Sequence, residues 1–157
     1  MTAQQHNVKI VARNRKARHD FTIEDTCEAG MVLQGTEVKS LRNGACSLEQ
    51  AYARPKGQEI YLFDMHIPPY EQANILNHEP KRPRKLLLHR REIGRLISQC
   101  TQRGYTLVPL SVYFKEGYAK VEIGLARRKQ RWDKRRKKEA EQHREEARNA
   151  LRRRAKS

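Results

Sequence analysis

The sequence predicts a mainly β protein: a small antiparallel barrel with added helices, followed by a basic C-terminal tail. Three observations carry this. Residues 108–125 hold two apolar runs of period two around a short glycine turn. Several further short strand-like runs, with one or two helical ones, share the same stretch of about 120 residues. The last 32 residues hold 15 Lys+Arg against 5 Asp+Glu, a net of +10, while the first 125 hold 19 against 13, a net of +6. Hydrophobic residues make up 37% of the 157 and charged residues 33%. That is enough apolar material for one modest core, but not for a core running the whole length. Residues 1–7 read as a polar leader, 8–125 as the folded unit and 126–157 as the tail.

The elements follow in order. Asp20–Glu24 alternates apolar with polar residues, as a strand does. In Gly35–Arg42, Val38 and Leu41 stand three apart and Gly44 follows. A short glycine-capped helix fits, with Thr36 as its N-cap. Strand-like runs at Gln50–Ala53 and Glu59–Met65 flank a turn signal, Pro55-Lys-Gly57. His66–Lys85 holds four of the six prolines and reads as a loop of about 20 residues, a length usually tied to function or mobility. Ile93, Leu96, Ile97 and Cys100 follow helical spacing and Gly104 closes the segment. Val108, Leu110, Val112 and Phe114, then Ala119, Val121, Ile123 and Leu125, form a hairpin, with Pro109 marking an edge or a bulge. Short antiparallel strands with one or two helices suit an OB-fold-like barrel, whose sheet and loops often bind oligonucleotides.

Several function classes find no support. No stretch approaches 18 consecutive apolar residues, so no membrane span is expected. The start, MTAQQHNVKI, lacks a signal-peptide apolar region. Three cysteines, Cys27, Cys46 and Cys100, form neither a disulfide framework nor a CxxC pair. A reducing cytoplasm is the expected home. No phosphate-binding, dinucleotide, zincin or serine-hydrolase motif occurs. His66 and His78 share the proline-rich loop, where packing is a better reading than metal ligation. Cys27 beside Glu28 lacks the electropositive setting of a reactive thiol. No cofactor, metal or catalytic group is expected.

The charge points to a polyanion. Arg13, Arg15, Lys16 and Arg18 crowd one stretch; Lys81, Arg82, Arg84 and Lys85 flank Pro83; Lys39 and Arg42 share a helix face. Each cluster alone fits an ordinary solvated face. Together they favour a continuous phosphate-binding surface, for which the planar fork of arginine is well suited. Lys120 and Tyr118 place a charge and an aromatic on one exposed sheet face. Trp132 sits in RRKQRWDKRR with no apolar neighbours to bury it, and an exposed indole there can stack on a base. So apolar-poor a tail is expected to be disordered, or a lone fraying helix, when free. Its Glu141/Arg144 and Glu145/Arg148 pairs support a helix once a polyanion neutralises it.

Six segments carry a resemblance: Asn14–Asp20 (NRKARHD), Glu28–Gly30 (EAG), Gly35–Arg42 (GTEVKSLR), Asn77–Pro80 (NHEP), Arg84–Leu88 (RKLLL) and Asp133–Arg135 (DKR). In this order they resemble SmpB, the SsrA-binding protein family of bacterial trans-translation. The resemblance implies an OB-fold barrel that binds the tRNA-like domain of tmRNA without catalysis. It implies a tail that enters the vacant messenger channel of a stalled ribosome, near the decoding centre, and folds there as a helix. Elongation factor Tu would be an indirect partner, through alanyl-tmRNA. Carried over, the elbow contacts are Asn14, His19, Glu28, Leu87 and Lys120. The basic clusters add Lys16, Lys39, Arg42, Arg84 and Lys85 to the expected RNA-binding set. Arg128, Lys129, Arg131, Trp132, Asp133, Lys134 and Arg135 form the ribosome-facing set. The family commonly has a glycine and two lysines after the last strand, where Arg127-Arg128-Lys129-Gln130 stands here, and often His or Tyr at the place of Trp132. A constitutive ribosomal protein, or a nuclease using Glu28 or Asp25, are the alternatives.

Overall fold

The computed structural model describes residues 7–73, 76–129 and 131–156, with the backbone alone at 131–134. The chain runs β1 (Val8–Arg13), α1 (Arg15–Asp20), β2 (Phe21–Met31), α2 (Gly35–Arg42), β3 (Tyr52–Lys56), β4 (Glu59–Phe63), β5 (Arg84–Leu87), α3 (Arg90–Arg103), β6 (Thr106–Lys115), β7 (Tyr118–Arg128) and α4 (Arg131–Ala155). The strand order is β1-β6-β3-β4-β5-β2-β7, and β7 pairs back onto β6. Six strands therefore close on themselves, and β1 hangs outside the ring. Closure leaves no free edge among the six. The expected OB-fold-like antiparallel barrel with added helices is present.

The hairpin shows why the ring closes. Glu116 (φ 52°) and Gly117 (φ 84°) turn the chain, and β6 pairs antiparallel with β7 from Lys115↔Tyr118 to Thr106↔Ala126. Two successive positive φ values twist the strands the way a tight hairpin needs. The register slips between Pro109 and Ser111, the bulge that the proline announced. β6 is long enough to serve three neighbours. Leu107 at one end faces Ala53 of β3, and residues 111–115 at the other face β1. Inward side chains such as Leu62, Leu86, Val112, Val121 and Ile123 fill the barrel, and Ile93 and Leu96 seat α3 against it. Burying a side chain of this size contributes about 1.5–3 kcal/mol. Gly104 ends α3 in the left-handed conformation (φ 66°).

Several expectations change. The tail does not begin at Ala126: that residue is fully buried and paired within β7. The compact units are Met1–Arg127 and Arg128–Ser157. Thr36 does not cap α2. Gln34 is the N-cap, and its N–H donates to Glu37 Oε1 (2.9 Å) in a capping box. The Thr36 hydroxyl instead meets His78 Nδ1 (2.8 Å), while His78 Nε2 donates to the Ile67 carbonyl (2.8 Å). His78 thus fastens the proline-rich loop to α2. Asn77 ties the same loop internally through Tyr70, and Ser40 Oγ donates to the Pro68 carbonyl (2.8 Å). In the second unit the tail is the 25-residue helix α4, the helical rather than the disordered of its two expected free forms, and every described side chain along it is exposed. Among the described residues no helix is long and apolar enough to cross a membrane.

Candidate nucleic-acid interface

Strand alternation sets which residues face outward. On β5, Arg84 and Leu86 point into the barrel, while Lys85 and Leu87 point out. Leu87 lies directly opposite Gly30 on β2. A side chain at Gly30 would press on Leu87, its Cβ lying 3.3 Å from that of Leu87. The glycine therefore lets Leu87 lie across β2, where it stays 52% exposed. Glu28, two residues earlier, shares the outward face. Tyr113 and Lys120 are cross-strand partners, as are Lys115 and Tyr118. The Tyr113 hydroxyl donates to Glu28 Oε2, and Lys115 Nζ lies 3.5 Å from the same oxygen.

Glu28, Gly30, Leu87 and Lys120 border an open groove of about 490 Å³, lined also by Lys85 and Arg90. Glu59, on its rim, pairs with Lys85 (3.8 Å) and Arg90 (3.6 Å). The Tyr113 hydrogen bond, with Lys115 and Lys120 nearby, outweighs burial and holds the Glu28 carboxyl below the usual range. Burial and the bond to Glu28 push the Tyr113 phenol up. At neutral pH the pair is a phenol donating to a carboxylate. Cations and carboxylates alternate around the groove, so it offers acceptors as well as phosphate-binding charge.

Of the residues expected to bind RNA, four converge here: Glu28, Lys85, Leu87 and Lys120. Asn14 is engaged by the protein itself. Its Oδ1 accepts from Ala17 N (3.1 Å), and its Nδ2 donates to Pro109 O (3.0 Å) and Leu48 O (3.3 Å). It caps α1 and anchors it to β6. The cations around it, Arg13, Arg15 and Arg18, border a second hollow of about 390 Å³. Lys16 and His19 are exposed on α1, and His19 Nδ1 lies 3.1 Å from Asp20 Oδ1. Lys39 lies over the Tyr70 ring (5.6 Å) and Arg42 over Phe114 (5.5 Å), so the shared helix face splits between two aromatic supports.

Arg84 leaves the expected set. It is fully buried, donates to Glu37 Oε2, the Met65 carbonyl and the Pro80 carbonyl (3.1 Å), and cannot meet an RNA. Glu37 is buried with it and also accepts from Arg82 (2.5 Å). Burial opposes that carboxylate, but the Gln34 N–H and the two guanidinium groups outweigh it and lower its pKa. Arg128 ends β7, Lys129 follows it, and Arg135 is exposed on α4. Arg131, Trp132, Asp133 and Lys134 lie in the first turn of α4, their side chains outside the described set.

The sequence reading overlooked Glu59, Arg90, Tyr113 and Lys115. Tyr113 was legible as an outward position of a period-2 strand; its partner was not, since Glu28 lies 85 residues away. The catalytic alternatives gain nothing. Asp25 is held by Arg95 (2.8 Å), whose hydrogen bond lowers its pKa. Burial pushes the Cys27 and Cys46 thiols up to about 11, far from the thiolate that nucleophilic chemistry needs.

A closed barrel that gathers cations, acceptors and an exposed leucine in one outer groove, on a chain of net charge +16, defines an RNA-binding protein of the OB-like class. The family model "SmpB protein" matches residues 11–153, and the chain belongs to the SmpB family. It is 55% identical to the SsrA-binding protein of Geobacillus thermodenitrificans over 142 residues, 88% of this chain and 92% of that one. It is 58% identical to the SsrA-binding protein of Enterococcus faecalis over 127 residues, covering 81% and 82%. A solved structure described as "tmRNA-SmpB: a journey to the center of the bacterial ribosome" superposes with a TM-score of 0.64 at 51% identity, covering 76% of this chain and 85% of the other.

Proposed function

We propose that this chain is an RNA-binding adaptor of trans-translation. It binds the tRNA-like domain of tmRNA in the groove between β5 and β7, helps deliver it to the A site of stalled ribosomes, and senses the empty messenger channel with α4. The observation that carries this is the convergence of Glu28, Lys85, Leu87 and Lys120, from three strands, on one open surface. Glu28 gives the surface its selectivity. A carboxylate only accepts hydrogen bonds, so it repels phosphate and meets base amino groups or 2′-hydroxyls. Lys85, Lys120 and Arg90 supply the charge for the neighbouring phosphates. Leu87 offers an apolar ledge to a base or ribose. No bond is made or broken, so the adaptor needs no catalytic group, cofactor or metal. It works where ribosomes are, in the cytoplasm, and meets elongation factor Tu only through the alanylated RNA.

The test is which RNA the full-length protein retains from its own cells. One dominant species of tmRNA size is expected. A smear of unrelated RNA, or none, overturns the proposal. Glu28→Ala is expected to weaken tmRNA binding by about tenfold although it raises the net charge, since a hydrogen bond to a charged group contributes about 1.5–3 kcal/mol. Stronger binding would reduce Glu28 to a surface acid.

A further inference from the structure

The outward face that forms the groove does not stop at β5. Lys85 stands directly opposite Tyr61 on β4, and β4 continues onto β3 through the pairs Tyr52↔Phe63, Arg54↔Tyr61 and Lys56↔Glu59. By strand alternation all of these share the face of Lys85 and Leu87, since Ala53, Ile60 and Leu62 between them point inward and are buried. Tyr52 and Phe63 stack with centroids 5.4 Å apart and planes 19° from parallel. Tyr61 tilts against Phe63 at 6.4 Å. The Arg54 guanidinium lies 4.8 Å over Phe63, and Lys56 lies 5.6 Å over Tyr61. Three aromatic rings thus sit outside a filled barrel in one contiguous cluster, with exposed cations over Phe63 and Tyr61. The acid of this face, Glu59, is already paired with Lys85 and Arg90.

We infer that this β3–β4 face is a second contact surface for the RNA held in the groove, and that it takes unpaired nucleotides. This rests on the reading of the groove as an RNA site. The chemistry is specific to unstacked bases. Rings and guanidinium planes stack on a base only when its own neighbours have left its face free, whereas the bases of a duplex are stacked on each other. Arg54 is planar, so a base can lie on its outer side while its inner side stays on Phe63. Arg54 and Lys56 also attract the phosphates on either side of that base. A protein partner is disfavoured: the face is cationic and lacks the broad apolar centre of a protein interface. Continuity with the groove through Lys85 and Glu59 makes one RNA the simplest occupant of both.

Two measurements on the full-length chain test this. A photo-reactive residue replacing Gln58, in the β3–β4 turn, leaves the stack intact; another replacing His89, an exposed residue of the groove lining with no assigned contact, reports on the groove. With tmRNA as the probe, both are expected to cross-link, and the position-58 product is expected to map to unpaired nucleotides. Cross-linking from position 89 alone, or to a helical segment from position 58, overturns this inference and leaves the groove reading standing. Cross-linking from neither overturns both. In the second measurement, Arg54→Gln with Lys56→Gln is expected to weaken tmRNA binding by about tenfold. Arg91→Gln with Arg103→Gln on α3, the same loss of charge, is expected to change it little. Equal losses from the two pairs would show only a general charge effect and overturn the assignment.

Discussion

Two side-chain clusters show how differently a charge behaves inside the barrel wall and on it. Glu37, Arg82 and Arg84 are joined by hydrogen bonds, with Glu37 and Arg84 fully buried. Removing one charge would strand the others, so Glu37→Gln is expected to cost about 3–5 kcal/mol in urea unfolding. Because folding lowers the Glu37 pKa, its contribution is complete above the unfolded carboxyl value of about 4.3 and is lost as pH falls through the folded value. Acid titration of the wild type should therefore show a steeper stability loss below about pH 4 than the Gln variant, which keeps only the share of other lowered carboxyls such as Asp25 and Glu28. On the outer side of the wall, Tyr113, itself 9% exposed, donates its hydroxyl to Glu28. Tyr113→Phe removes one hydroxyl and keeps the ring. It is expected to weaken tmRNA binding several-fold, with an unchanged salt slope because no phosphate contact is lost. A changed slope would place Tyr113 at the phosphates instead.

Among the elements, α1 has the most dependent position. Asn14 both caps it and ties it to two distant carbonyls. Asn14→Ala is expected to lower stability by about 2–3 kcal/mol, read by thermal unfolding, and to weaken RNA binding only as far as α1 loosens. Elements with a strong period of their own could be read directly from the chain: α2, α3 and the β6–β7 hairpin came out at nearly the expected bounds. β1, α1 and β5 could not. β1 and β5 span 6 and 4 residues and owe their extended form to the neighbours they pair with. α1 has six residues and one buried side chain, too little for a helical period to show. The same limit explains Arg84. It sits in a basic run that looks like surface, and only the strand alternation of β5, together with a buried carboxylate 47 residues away, turns it inward. Glu28, Lys85, Leu87 and Lys120 were legible as residue types and through the resemblance. Their meeting in one groove depends on ring closure, which no local pattern encodes.

At the scale of the whole chain, the proposed function assigns a separate part to each of the two units. The barrel unit, Met1–Arg127, contains every residue of the groove and of the β3–β4 face. A chain ending at Arg128 is expected to melt cooperatively like the full protein and to retain tmRNA affinity at low salt. It is expected to fail at tagging nascent peptides on stalled ribosomes, and tagging activity in such a truncation would remove the sensing role from α4. The 25 residues of α4 extend to about 38 Å. Arg135, Arg136, Lys137 and Lys138 follow one another through more than one full turn, so no azimuth of that stretch is neutral. That single turn gains nothing by spinning about the helix axis. Against any anionic wall its attraction depends on how far along the wall it lies and not on the side it presents.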